Sequence, residues 1–97
     1  MKIFTLPDIT IAATGVAQPV LTPGQHQNCK WFQINGVTVD ADARVGDSTT
    51  TAARGIPLSA GGGTFSPPIA EPLNHYDLAD VFLVGTQNDV LAVNYAV

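Results

Sequence analysis

From Val37 to Val45 every second residue is apolar, with Val37, Val39, Ala41, Ala43 and Val45 set against Thr38, Asp40, Asp42 and Arg44. Period two is the spacing of a strand with one buried face, because successive side chains point to opposite sides of a sheet. Asp and Ala form strands poorly, so an interruption is expected near Asp40. Asn35-Gly36 directly before this run is a strong hairpin signal, since both central residues of a type I′ turn need positive φ. Ala43 to Asp47 then reads as a strand ending in a Gly turn. A Thr/Ser connector follows, and Arg54 to Gly62 forms a second extended segment, so two neighbouring β-segments are tied by one short excursion.

The remaining segments follow the same grammar. Ile9, Ile11 and Ala13 alternate with Thr10, Ala12 and Thr14, and Gly15 breaks or bulges that strand. Val16 to Leu21 continues extended past Pro19, which implies an edge, as Pro57 does between Ile56 and Leu58. Thr22-Pro23-Gly24-Gln25 fits a type II turn. Cys29 to Ile34 is an aromatic strand with Phe32 and Ile34 on one face and Trp31 and Gln33 on the other. Gly61-Gly62-Gly63 permits a sharp reversal, and Pro67, Pro68 and Pro72 hold an open course. A short helical turn is expected around Asp77-Leu78-Ala79. Val81 to Val84 is a continuous apolar run, as in a central strand covered on both faces. Gly85 to Asp89 reads as a hairpin loop before the closing strand Val90 to Val97. These signals describe one all-β domain over residues 1–97, a small antiparallel β-sandwich (jelly-roll-like) or barrel of six to eight short strands, with room for an extended N-terminal arm over residues 1–8.

Charge and composition narrow the function. The net charge is −4, and Lys2, Lys30, Arg44 and Arg54 are the only cations, too few and too scattered for the basic stripe that phosphate binding needs. Direct nucleic-acid binding and attachment to an anionic membrane are therefore unexpected, and no apolar run approaches a membrane span. Charged residues make up 12% of the 97 residues and apolar ones 45%, a balance easier to explain if partners cover part of the surface. Cys29 is alone, so no internal disulfide forms, and synthesis in a reducing cytoplasm is expected.

No residue set makes a convincing catalytic centre, and the chain is not expected to be an enzyme or to carry a cofactor. Gly46-Asp47-Ser48 has three letters of an esterase nucleophile block without the Asp-x-x-His base, so Ser48 reads as a turn residue. His26 and His75 lie in loops near Cys29 and Asp77 respectively, but none of the tight metal-ligand spacings occurs. Asp40 and Asp42 share a strand face about 7 Å apart, a spacing that calcium or a paired-acid hydrolase could use, although a solvated face explains them as well. The glycines of residues 61–63 lack the lysine and helix of a phosphate cradle. Trp31, Phe65, Pro67, Pro68, Ile69 and Tyr76 stand apart as candidate protein-interface residues: aromatics beside rigid extended chain lose little entropy on docking, the alternative being that the rings complete the core.

From Cys29 onward, the order of Lys30 to Ile34, Arg44 to Ser48, Arg54 to Leu58 with the glycines after it, Phe65 to Pro72, Tyr76-Asp77-Leu78 and the terminal segment to Val97 resembles a group of small tailed-bacteriophage virion proteins. The resemblance covers about two thirds of the chain and implies a structural β-sandwich subunit of the particle. A capsid decoration or cement protein on the capsid exterior is the leading expectation. Its partners would be the major capsid protein and other virion proteins, and its assembly a homo-oligomer, dimer or trimer. A tail or head-spike component is the alternative, as is a small carbohydrate- or receptor-binding module. The family has no catalytic residue to carry over.

Overall fold

The structure, a computed structural model, describes residues 2–97; Met1 lies outside the described residues. The strands in chain order are β1 Ile3–Thr5, β2 Ile9–Thr10, β3 Gln18–Pro19, β4 Asn28–Cys29, β5 Trp31–Thr38, β6 Ala43–Gly46, β7 Ile56–Leu58, β8 Thr64–Phe65, β9 Tyr76–Asp77, β10 Phe82–Val84 and β11 Val90–Ala96. All pairings are antiparallel. One sheet runs β1-β11-β5-β8, with β2 beside β1 on the same flank of β11; the second runs β3-β10-β6-β7; β4 and β9 form a small third sheet. The protein is an all-β antiparallel sandwich, with a Cα radius of gyration of 12.6 Å.

The core lies between the two large sheets. Phe32, Ile34, Leu91 and Val93 from the first face Ala43, Val45, Leu58 and Leu83 from the second, and Ile11, Leu78 and Cys29 close the ends. Each fully buried Leu or Ile contributes about 1.5–3 kcal/mol through removal from water. In β10 both Leu83 and Val84 are buried and the strand sits between β3 and β6, as its unbroken apolar run implies. The β6–β7 pair joins Ala43 to Leu58 and Val45 to Ile56, so the excursion between them is a long hairpin connection. Its tip is closed by the Thr51–Arg54 bridge and by the Arg44 Nη1 bond to the Gly55 carbonyl at 3.0 Å. Thr22 to Gln25 forms its turn, with Gly24 at φ 92° and the Gln25 N–H on the Thr22 carbonyl at 3.0 Å.

Four local expectations give way to tertiary pairing. Asn35-Gly36 does not turn: β5 runs through both residues, and neither has positive φ. The Gly36 N–H goes instead to the Gly63 carbonyl at 2.9 Å, and a Cβ on Gly36 would meet Val39 Cγ2 at 2.8 Å, so glycine serves close packing there. The Val37–Val45 alternation is interrupted near Asp40, as its Asp and Ala residues imply, but Asp40 and Asp42 do not share a strand face. It ends at Thr38, bulges against β11 at Val37, bends through residues 40–42 and resumes at Ala43, which leaves Asp40 and Asp42 on an exposed bend and off any strand face. Gly85 to Asp89 is a loop but no hairpin, because β10 and β11 belong to different sheets. The first strand stops at Thr10, with Ile11 buried and Ala13 exposed, because the chain turns at Thr14-Gly15 and the Gly15 N–H bonds the Gly85 carbonyl at 3.1 Å.

Candidate interaction surface

In β5, Phe32 and Ile34 point into the core, so Trp31 and Gln33 face outward. Trp31 pairs with Ala96, and Ala96 pairs with Ile3 across the other flank of β11, which places Ile3, Ala96 and Trp31 in one cross-strand row on the outer face. Ile69 completes that row, and the four residues line a shallow groove of about 240 Å³. Ile3 is 65% exposed and Ile69 63%, large fractions for isoleucines set beside a tryptophan. Further along this face no row carries a charge: Thr5, Asn94 and Gln33 form one, and Ala92, Asn35 and Thr64 the next.

The proline-rich segment that carries Ile69 is fastened at both ends. The Lys30 ammonium donates to the carbonyls of Glu71 at 3.2 Å, Pro72 at 3.0 Å and Asn74, while the Lys30 backbone accepts from the Ala70 N–H at 2.8 Å. The Tyr76 hydroxyl donates to the Pro68 carbonyl at 2.7 Å. A cation on several carbonyl dipoles is a charge-assisted arrangement, so Lys30 holds the segment in place. Leu73, 97% exposed, is at the tip of this clamped loop.

Of the six residues singled out in the sequence, the structure brings Trp31 and Ile69 together at the groove. Phe65 and Tyr76 turn the other way, their rings packed on Phe32 at centroid distances of 6.0 and 5.5 Å. Tyr76 and Trp31 therefore do not share a flat face, and no aromatic platform of the kind that stacks on a sugar is formed between them. Pro67 is half-buried and Pro68 exposed, both in the clamped segment. Ile3 and Lys30 did not stand out in the sequence. The Ile3–Thr5 alternation was the available sign for the first; nothing local marks the second, whose acceptors lie more than forty residues away.

The reactive side chains are dispersed. His26 Nδ1 lies 2.8 Å from Asp77 Oδ2, whereas His75 lines a groove with Cys29, the reverse of the pairing by sequence proximity. Among the described residues no three His, Cys, Asp or Glu side chains come together. Burial pushes the Cys29 thiol above its ordinary value, the hydrogen bond from Trp31 opposing and the charge of Asp77 adding to the rise, so the sulfur is a protonated core atom at neutral pH. Asp47 closes a turn: its Oδ1 accepts from the Thr49 N–H at 2.8 Å and hydroxyl at 2.5 Å. Ser48 next to it is exposed, as expected of a turn residue.

Asp77 caps the short 3₁₀ turn Leu78–Asp80. Its carboxyl is held below the usual 3.8 chiefly by the Ala79 N–H, then by His26 and the Gln27 N–H. Because the folded value is below the unfolded one, the stabilisation is complete above about pH 4 and is lost as pH falls through the lower folded value. We expect the acid limb of the stability curve, followed by urea midpoints from neutral pH to about pH 2, to be shallower in Asp77→Asn; an unchanged limb would show that the cap contributes nothing. No protein-family model matches this chain, and neither a curated protein sequence nor a solved structure matches it.

Proposed function

We propose that this protein is an adhesive structural subunit, of the capsid decoration or cement type found on tailed-phage virions, and that the Ile3–Trp31–Ile69 groove is its docking face. One observation carries this reading: an exposed apolar groove beside rows that carry no charge, built on rigid strands and a clamped proline-rich segment. Preorganised apolar anchors in a polar surround are what a standing contact with another protein requires. The resemblance of the motif order to small virion proteins supports the particle as its setting. The net charge of −4 favours the outer side of a shell, away from packaged nucleic acid. Binding to the assembled lattice alone stabilises that lattice by mass action, and many copies reinforce one another.

The test is cosedimentation of purified protein with expanded empty heads that lack it. Saturable binding with a rise in the temperature of head disruption is expected, and Trp31→Ala should weaken binding by at least tenfold, about 1.4 kcal/mol or more. Absence of binding, or binding indifferent to Trp31, rejects the reading. Retention on a glycan array abolished by the same substitution would instead favour a carbohydrate-binding module.

A further inference from the structure

The two large sheets end in edges, and their backbone phase decides which can accept another strand. In an antiparallel pair, residues alternate between those that bond their neighbour and those that point the other way. The Leu6 N–H bonds the Val93 carbonyl at 3.0 Å and the Val97 N–H bonds the Lys2 carbonyl at 3.3 Å. Phe4, midway between Lys2 and Leu6, therefore bonds Tyr95, and the N–H and C=O of both Ile3 and Thr5 face away from β11. Among the described residues these groups have no backbone or side-chain partner.

Each of the other edges presents a single outward residue, and in three of them that residue is a proline or already holds a side chain. In β3 the Val20 N–H bonds the Val81 carbonyl, so Gln18 also faces β10 and the outward position falls to Pro19, which has no donor. In β2 the outward residue is Thr10, and its carbonyl already accepts from Gln18 Nε2 at 3.0 Å. Pro57 sits in the middle of β7, and β8 runs from Thr64 to Phe65 with Pro67 and Pro68 just beyond. Prolines and side-chain caps are the usual devices against unwanted strand pairing. β1 has neither.

We propose that the open edge of β1 receives β1 of a second copy of this chain, in antiparallel register about a two-fold axis at Phe4. The edge is self-complementary: Ile3 of each copy meets Thr5 of the other, and each pair exchanges both N–H···O bonds, so every outward group finds a partner. The two Phe4 rings, each stacked on its own Tyr95 at 5.4 Å, come side by side on the inner face. Both Ile3–Trp31–Ile69 grooves then open on the same side of one continuous sheet, and a lattice would be held by two anchors at once. The pairing does not depend on what those grooves bind.

Light scattering or sedimentation velocity on the purified full chain, taken as a dilution series, tests this directly. At high concentration the mass should be twice the 10.1 kDa of the chain. Thr5→Pro removes the outward N–H of Thr5 and leaves the inward bonds of Phe4 and Leu6, and it should raise the dissociation constant at least tenfold. Hydrogen exchange on the unmodified protein needs no variant: the Ile3 and Thr5 amides should be protected in the dimer and exposed on dilution. A monomer or trimer at every concentration, a dimer unaffected by Thr5→Pro with circular dichroism unchanged, or fast exchange at both amides in the dimer would each overturn the proposal. Failure to bind heads would leave it standing.

Discussion

Replacing Asp89 with alanine is expected to lower the stability of this protein by about 2–4 kcal/mol, since two backbone donors lose the acceptor that a buried side chain supplies and a cavity is opened. Asp89 is 1% exposed. Its Oδ1 accepts from the Asp40 N–H at 3.2 Å and its Oδ2 from the Thr86 N–H at 2.9 Å. Its own backbone ties the same region together, accepting from Ile11 at 2.8 Å and donating to Thr86 at 2.9 Å. The side chain thus joins the bend after β5 to the loop between β10 and β11, and the backbone of the same residue holds Ile11, which follows β2. Alanine leaves the Asp40 and Thr86 N–H groups without their acceptor at a partly buried site, and each such loss costs about 1–2 kcal/mol. Asp89→Asn keeps the shape but sets an amide NH₂ against one of the two donors, so about half the loss is expected. Urea denaturation with a reduced midpoint and an unchanged slope would establish the effect as one on native stability; a loss under about 1 kcal/mol in the alanine variant would show that water satisfies those amides.

The second large effect belongs to Gly63. A Cβ there would lie 2.9 Å from the Leu58 carbonyl carbon and 3.1 Å from Leu58 Cα, and closer still to the Ser59 nitrogen. These are backbone atoms of a strand end whose next contact is the buried Leu58 side chain, so they cannot retreat. Gly63→Ala should cost about 3 kcal/mol or more, in the range of overpacked sites, and should loosen the Gly36–Gly63 bond that joins β8 to β5. Gly61 offers the internal control. Its φ is +80° and nothing lies within 4 Å of its added Cβ, so alanine there meets only backbone strain of about 1–2 kcal/mol. Thermal melts of the two variants side by side separate space from conformation. Equal losses would mean that the residue 61–63 corner is a pliant link, the reading its three glycines invite.

What was legible along the chain had short-range causes. The Thr22–Gln25 turn follows from Pro and Gly at their preferred positions, and a short helical turn near Leu78 was also visible, although Asp77 proves to be its cap and not part of it. Pro19 and Pro57 stand on outer strands because neither can donate in a sheet interior. The β6–β7 pair was visible for a related reason: its two segments are close in sequence and bounded by glycines. Asn35-Gly36 shows where such reasoning stops. Its turn propensity, a local preference of at most a few kcal/mol, is outweighed by the pairing of β5 with β11 across seven residues and by the burial of Ile34 and Leu91.

The candidate site was half legible. Trp31 and Ile69 could be singled out because a tryptophan and a proline-flanked isoleucine are notable wherever they fall. Phe65 and Tyr76 carry the same kind of signal, yet both rings pack on Phe32. Burial is a property of the neighbour, and the neighbour is brought by strands distant in sequence.

Strand content, the acidity and the rigidity of the residue 67–72 stretch were settled by the order of residues alone, because each rests on side-chain period, on charge count or on a proline ring. The partners of each strand were not. Ile3 meets Ala96 and Ala96 meets Trp31 only once the chain ends have closed on each other, and β1 becomes an open edge only once β11 has taken β5 on its other flank. A strand's hydrogen bonds and its buried face are completed by residues elsewhere in the chain, so its place is chosen by the packing of the whole core and cannot be read from its own letters.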